Sequence, residues 1–224
     1  MTKVDTGFAG QSFGSKALYR VIRTLACGFT QLYTRMSIEG RAHLPATGGY
    51  VIAPVHRSYV DTPISACISR RRMRYMGKDS MWKFAGVGKL ISALGAFPVS
   101  RGSVDREALM RCLAVLDAGE PLVLFPEGER KDGPAVQPLF DGAAYLASKS
   151  GVPIIPVGIA GSDRVMPRGA KFVFPRKVKI VIGAPLRVEV AENGRASRNS
   201  IKATTAQLHV EIQRLYDEAQ SKIS

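Results

Sequence analysis

Cysteine, histidine and tryptophan are scarce in this sequence, with three Cys, three His and one Trp among 224 residues. Cys27, Cys67 and Cys112 are odd in number, scattered, and free of any CxxC spacing. That pattern argues against a disulfide framework, and with only His43, His56 and His209 to assist it argues against a structural metal. Reduced thiols in a cytosolic compartment are the expectation. No uncharged apolar run approaches the ~18 residues that a membrane-spanning helix needs. The segment Met1 to Gly14 lacks the basic start and apolar core of a secretory signal, so residues 1–14 read as a flexible leader. Acidic residues are also few: 18 Asp+Glu stand against 32 Lys+Arg, leaving a net charge of +14. Such a surplus implies a polyanionic partner, whether nucleic acid, an anionic membrane or a phosphate-bearing substrate. What is present otherwise is ordinary, at 46% hydrophobic and 22% charged, which suffices for one folded core and excludes a disordered chain.

The first periodic segment runs from about Ser15 to Met36. Leu18, Val21, Ile22, Leu25, Phe29, Leu32, Tyr33 and Met36 recur three or four apart and predict one apolar helix face, with Lys16, Arg20, Arg23 and Arg35 outside it. Such a helix either packs on the core or lies in a lipid interface with its basic residues at anionic head groups. From residue 37 onward, short apolar runs alternate with helical stretches. Strands are expected at Tyr50–Val55, Met73–Met76, Ala96–Val99, Leu122–Phe125, Ile154–Ile159 and Val178–Ile182. Helices are expected at Pro63–Ser69, Trp82–Leu94, Arg106–Ala118, Gly142–Ser150 and Ile201–Ala219. The fold class is therefore α/β, a mixed and largely parallel sheet flanked by helices, with residues 37–224 as one domain behind the amphipathic helix at 15–36.

In such sheets the ligand site lies beyond the carboxyl ends of the strands. The first strand ends in His56-Arg57-Ser58-Tyr59-Val60-Asp61. A carboxylate five residues after a histidine can fix the ring tautomer and leave the second nitrogen as a base, although Asp61 before Thr62-Pro63 also suits a helix cap. Another strand ends in Phe125-Pro126-Glu127-Gly128-Glu129-Arg130, where Arg130 can grip a phosphate and Glu127 can meet a hydroxyl or an arginine. Ser100-Arg101-Gly102 brings a further cation to the same edge, so Arg57, Arg101 and Arg130 are candidates to converge. A nearby GxSxG match, Gly10–Gly14, has no buried strand ahead of it and is not read as a nucleophile elbow.

These residues in this order resemble the glycerolipid acyltransferases. His56 to Asp61 is similar to the family's HX4D block, Gly95 to Arg101 to the second, Phe125 to Arg130 to the third, and Val152 to Val157 to the fourth. Glu129 stands where Thr or Ser is usual, and Val55 where Asn often precedes the histidine. The resemblance implies acyl transfer from a thioester of CoA or acyl carrier protein to a free hydroxyl of a glycerol-phosphate acceptor, most often lysophosphatidic acid, with glycerol 3-phosphate as the alternative. It implies His56 as general base oriented by Asp61, and Arg101, Glu127, Gly128, Arg130 and Arg57 around the acceptor. It implies no metal and no cofactor beyond the thioester, and an enzyme peripheral on the cytoplasmic face of the membrane. The rival class is a basic module without catalysis that binds nucleic acid or lipid; no zinc-finger spacing, RNP-like strand or basic heptad array supports nucleic acid, and the intact His56, Asp61, Glu127 and Arg130 argue against a lipid-binding module that has lost its chemistry. Arg70-Arg71-Arg72 with Arg74, and Trp82 and Phe84 beside Lys78 and Lys83, are the further candidates for contact with anionic lipid.

Overall fold

The computed structural model describes residues 12–99 and 106–223. The proposed leader, apart from residues 12–14, and the candidate Arg101 lie outside the described residues. Helix α1 spans Phe13–Thr34, and Ser12 caps it by accepting from the Ser15 amide at 3.2 Å. The strands are β1 (Ser37–Glu39), β2 (Tyr50–Pro54), β3 (Arg74–Lys78), β4 (Ala96–Val99), β5 (Pro121–Val123), β6 (Ile154–Ala160) and β7 (Lys179–Ile182). Helices α2 (Asp61–Ser65), α3 (Ala85–Ala93), α4 (Arg106–Asp117), α5 (Gly142–Ser150), α6 (Ser162–Val165) and α7 (Arg198–Ser221) connect and flank them. The seven strands form one sheet in the order β1-β7-β6-β2-β5-β3-β4. Every neighbouring pair is parallel except β6 with β7.

Strand β2 lies at the centre, between β5 and β6, and all five of its residues are buried. A strand covered on both faces reads as a continuous apolar run, which is why Tyr50–Pro54 shows no alternation. Helix α7 covers β6 and β7 with Leu208, Ile212, Leu215 and Tyr216. Its close approach depends on Gly158, where a Cβ would lie 2.3 Å from the Leu215 carbonyl oxygen. Two elements escape the sequence pattern because they are shorter than any period that could reveal them. These are β1, three residues paired with β7, and the four-residue α6.

Three expectations are corrected. Cys27 on α1 and Cys67 just after α2 are joined in a disulfide, with Cα atoms 5.4 Å apart, leaving Cys112 as the free thiol among the described cysteines. The helix crossing brings together residues 40 apart in sequence, which no spacing rule reports. This pairing removes the compositional argument for a reducing compartment. The basic cluster at 70–74 is largely structural. Arg71 donates to the carbonyls of Gly48 and Gly119, Arg72 to that of Ala93, and Arg74 is buried against Glu120. Arg23, expected to face head groups, turns inward and donates to the carbonyls of Ala66 at 3.0 Å and Ser69 at 2.6 Å.

The apolar arc of α1 is wider than the surface available to cover it. Tyr19 is buried, Ile22 and Ala26 are half-buried, and Leu18, Val21, Leu25, Phe29 and Leu32 are exposed along one stripe. A helix packed only for stability would bury that stripe. Among the described residues, no helix is long and apolar enough to cross a membrane.

Candidate active site

The loop that follows β2 is organised by one carboxylate. Asp61, the first residue of α2 and fully buried, accepts through Oδ2 from the backbone amides of Arg57 at 2.6 Å and Ser58 at 2.7 Å. The same oxygen lies 2.9 Å from His56 Nδ1. Asp61 therefore bends the chain back on itself and holds the imidazole, performing the local loop-closing role and the pairing role at once. The imidazole also stacks on Phe125, with ring centroids 3.9 Å apart. Nε2 has no hydrogen-bond partner among the described residues, and His56 borders a cavity with its side chain 13% exposed. A histidine held at one nitrogen and open at the other can take a proton from a bound group.

Behind this loop stands the turn after β5. The Gly128 amide donates to the Phe125 carbonyl at 3.0 Å, and Gly128 has φ +74, where a Cβ would meet the Phe140 ring at 2.7 Å. Both conformation and space therefore require glycine there. The turn aims Glu127 inward. It receives Arg57 Nη1 on Oε1 at 2.8 Å and on Oε2 at 3.0 Å, the His56 backbone amide at 3.1 Å and the Gln137 amide at 3.0 Å. The Arg57 guanidinium is completed by the carbonyls of His56, Gly133 and Ala135 and lies over the Tyr216 ring. Arg57 is 6% exposed and Glu127 1%.

This pairing changes the expected convergence. Arg57 and Glu127 bind each other under the loop and do not line the cavity, so neither is free to meet an acceptor. The physical reason is saturation, because each polar atom of Glu127 is already committed to an amide or to the guanidinium. Arg130 does line the cavity, half-buried, with its Cζ 3.4 Å from the centroid of the Tyr59 ring. It has no carboxylate partner among the described residues. Glu129, the unusual negative charge, is at the rim and pairs with Lys131 at 2.8 Å. Two rim residues were not singled out from the sequence. Tyr59 has only its place inside the HX4D block as a signal, and Arg168, paired with Asp132 beside the cavity, has none.

The cavity measures about 850 Å³ and runs from His56 and Arg130 inward between α1 and α3. Beyond its polar mouth the wall is apolar, supplied by Ile22, Ala26, Met76, Trp82, Ile91 and Leu94. Trp82 is thus turned into the wall, donating its indole N–H to Ser92 Oγ at 2.9 Å, and is no surface anchor. Phe84 remains exposed. Glycines 77 and 88 make room for the indole, since a Cβ at either would lie within 3.0 Å of it. The other two histidines serve the fold, His43 at 2.9 Å from the Ile182 carbonyl and His209 at 2.9 Å from that of Val136. Among the described residues, no group of three or more His, Cys, Asp or Glu could hold a metal ion.

Residues 35–160 match the family model described as Acyltransferase. The chain is 29% identical over 153 residues to the 1-acyl-sn-glycerol-3-phosphate acyltransferase of Bacillus subtilis (strain 168), covering 67% of this chain and 73% of that protein. It is 25% identical over 166 residues to the chloroplastic 1-acyl-sn-glycerol-3-phosphate acyltransferase LPAT1 of Arabidopsis thaliana, covering 71% of this chain and 46% of the relative. The matched region thus spans most of the bacterial relative and about half of the plant one. The fold is similar to the crystal structure of the 1-acyl-sn-glycerophosphate acyltransferase PlsC from Thermotoga maritima, with a TM-score of 0.74 and 24% identity over 91% of this chain and 80% of that one.

Proposed function

We propose, for a chain that belongs to the acyltransferase family, that it moves a fatty acyl group from a thioester to the free hydroxyl of lysophosphatidic acid, giving phosphatidic acid. The names of the similar proteins support this acceptor. The observation that carries the chemistry is a histidine clamped at Nδ1 by a buried carboxylate, its Nε2 open at the mouth of an apolar cavity. A thioester is already activated, so the protein has only to deprotonate the acceptor hydroxyl and hold it against the carbonyl. In this reading His56 Nε2 takes the hydroxyl proton as the new C–O bond forms. The tetrahedral adduct collapses, the C–S bond breaks, and the thiolate leaves with the proton returned by the imidazolium. Asp61 fixes the tautomer and steadies the transient positive charge.

Arg130 is the cation placed to receive the acceptor phosphate. Its guanidinium face is stacked on Tyr59, which leaves the planar edge of N–H donors for oxygen. Arg57 and Glu127 act as a strut that fixes the backbone of His56. The apolar cavity takes the acyl chain, where each buried methylene contributes about 0.8 kcal/mol. The exposed stripe on α1 lies in the bilayer interface and brings the cavity mouth to a membrane that holds both acceptor and product.

The test is thiol release from a long-chain acyl-CoA with lysophosphatidic acid, its 2-acyl isomer or glycerol 3-phosphate as acceptor. The proposal expects turnover with lysophosphatidic acid and phosphatidic acid as product. Turnover with glycerol 3-phosphate alone would replace the acceptor, and release without an acylated product would reject acyl transfer.

A further inference from the structure

A second cavity opens at the other end of α1, away from His56. It measures about 170 Å³ and is lined by Arg35, Arg164, Arg176, Lys177 and Ile223. Four cations thus share one concavity, and among the described residues none of them pairs with a carboxylate. Like charges held together repel unless an anion joins them. The four side chains are exposed at the surface, and the backbone that carries them is fixed. Arg35 adopts φ 48, making it the non-glycine residue with positive φ among those described. The chain before Val178 is fastened at three points. Tyr33 Oη donates to the Val173 carbonyl at 3.0 Å, the Phe174 amide to that of Val165 at 2.7 Å, and the Val178 amide to that of Thr34 at 3.2 Å.

The same loop carries apolar side chains into solvent. Phe172 is 75% exposed and Phe174 44%, between Lys171 and Arg176. Tyr33, which grips this loop, stacks on Phe29 at 5.1 Å, and Phe29 belongs to the exposed stripe of α1. Through the Tyr33 bond, Phe172 and Phe174, the neighbours of Val173, are tied to the C-terminal part of α1, next to which Arg35 lines the cation cavity. Aromatic side chains at the level of the acyl boundary with cations at the level of the head groups make up the chemistry of an interfacial lipid contact.

We propose that the Arg35–Arg164–Arg176–Lys177 cavity binds the phosphate of an anionic phospholipid in the bilayer, with Phe172 and Phe174 inserted beside it. The site is distinct from the acceptor site at Arg130 and sets how the end of α1 sits on the membrane. It is independent of the chemistry proposed for His56, because its test reads binding and not turnover.

The experiment measures partitioning of the full chain onto phosphatidylcholine vesicles with and without phosphatidylglycerol. The triple variant Arg164→Gln, Arg176→Gln, Lys177→Gln should lose about a hundredfold in affinity for the anionic vesicles, on the basis of about fivefold per cation near the surface. Its weaker binding to neutral vesicles and its melting temperature should not change. Phe172→Ser with Phe174→Ser should weaken binding to both vesicle types. A charge-matched control, Arg195→Gln, Arg198→Gln, Lys202→Gln, should lose much less. Equal losses in the two triple variants would mean that only net charge matters and would overturn the proposal. So would wild-type vesicle binding in the first triple variant. A raised KM for a soluble phosphorylated acceptor with unchanged vesicle binding would make the cavity a substrate site and also overturn it.

Discussion

Replacing Glu127 by glutamine keeps the shape of the side chain and removes the carboxylate that pairs with the Arg57 guanidinium. In the folded protein the side chains of Arg57 and Glu127 are 2% and 0% exposed, so water cannot replace the lost partner. Removing one member of a buried ion pair leaves an uncompensated charge and costs about 3–5 kcal/mol. The remaining bonds from Arg57 to the carbonyls of His56, Gly133 and Ala135 offset part of this, which favours the lower end. For a chain of this size, 1 kcal/mol moves the melting temperature by about 2–4 °C. A fall of about 6–12 °C is therefore expected in calorimetry. Glu127 also receives the His56 amide, so kcat should fall with stability, while the KM for the phosphorylated acceptor changes little. An unchanged melting temperature with a large rise in that KM would refute the reasoning and return Glu127 to the acceptor site.

Ala26→Phe fills the cavity wall contributed by α1 and should shift preference toward shorter acyl-CoA chains, by about fourfold for each methylene excluded. Competition between two chain lengths would show it. Reducing the Cys27–Cys67 bridge opens a 40-residue loop and should lower stability by about 4 kcal/mol on chain entropy alone. Denaturant melts with and without reductant check this, and identical midpoints would contradict it. Hydrogen bonds from Lys179 and Lys222 hold the Glu39 carboxyl at about 2, against an ordinary value of 4.5. Its folded pKa is depressed, so the stability it contributes is complete above pH 4.5 and fades as pH falls toward 2. Glu39→Gln should flatten that part of the pH–stability curve, and an unchanged curve would speak against the link.

The sheet was legible in the sequence where its strands are buried on both faces. Tyr50–Pro54 and Ile154–Ala160 appear as continuous apolar runs with little competing signal, and Lys179–Ile182 as three apolar residues behind a lysine. The pairing at the candidate site was legible because strand ends gather their chemistry locally, as His56 and Asp61 do across five residues. Partnerships over long separations were not legible. Spacing marks Arg57 and Glu127 as charged residues near a site, but only the turn at Gly128 directs the carboxylate under the loop and away from the cavity. The same limit hid the disulfide, the inward turn of Arg23, and the carbonyls that occupy Arg71 and Arg72. For α1, periodicity finds an apolar arc, and the position of the rest of the domain decides which part of it is covered.

The proposed chemistry depends on His56 as the base for acyl transfer. The most direct measurement is single-turnover acyl transfer from acyl-CoA to lysophosphatidic acid by His56→Ala, beside a melting curve of the same preparation. A rate lower by about 10²–10⁴ is expected in a variant that melts cooperatively near the wild-type temperature. A rate near wild type in that folded variant would contradict it.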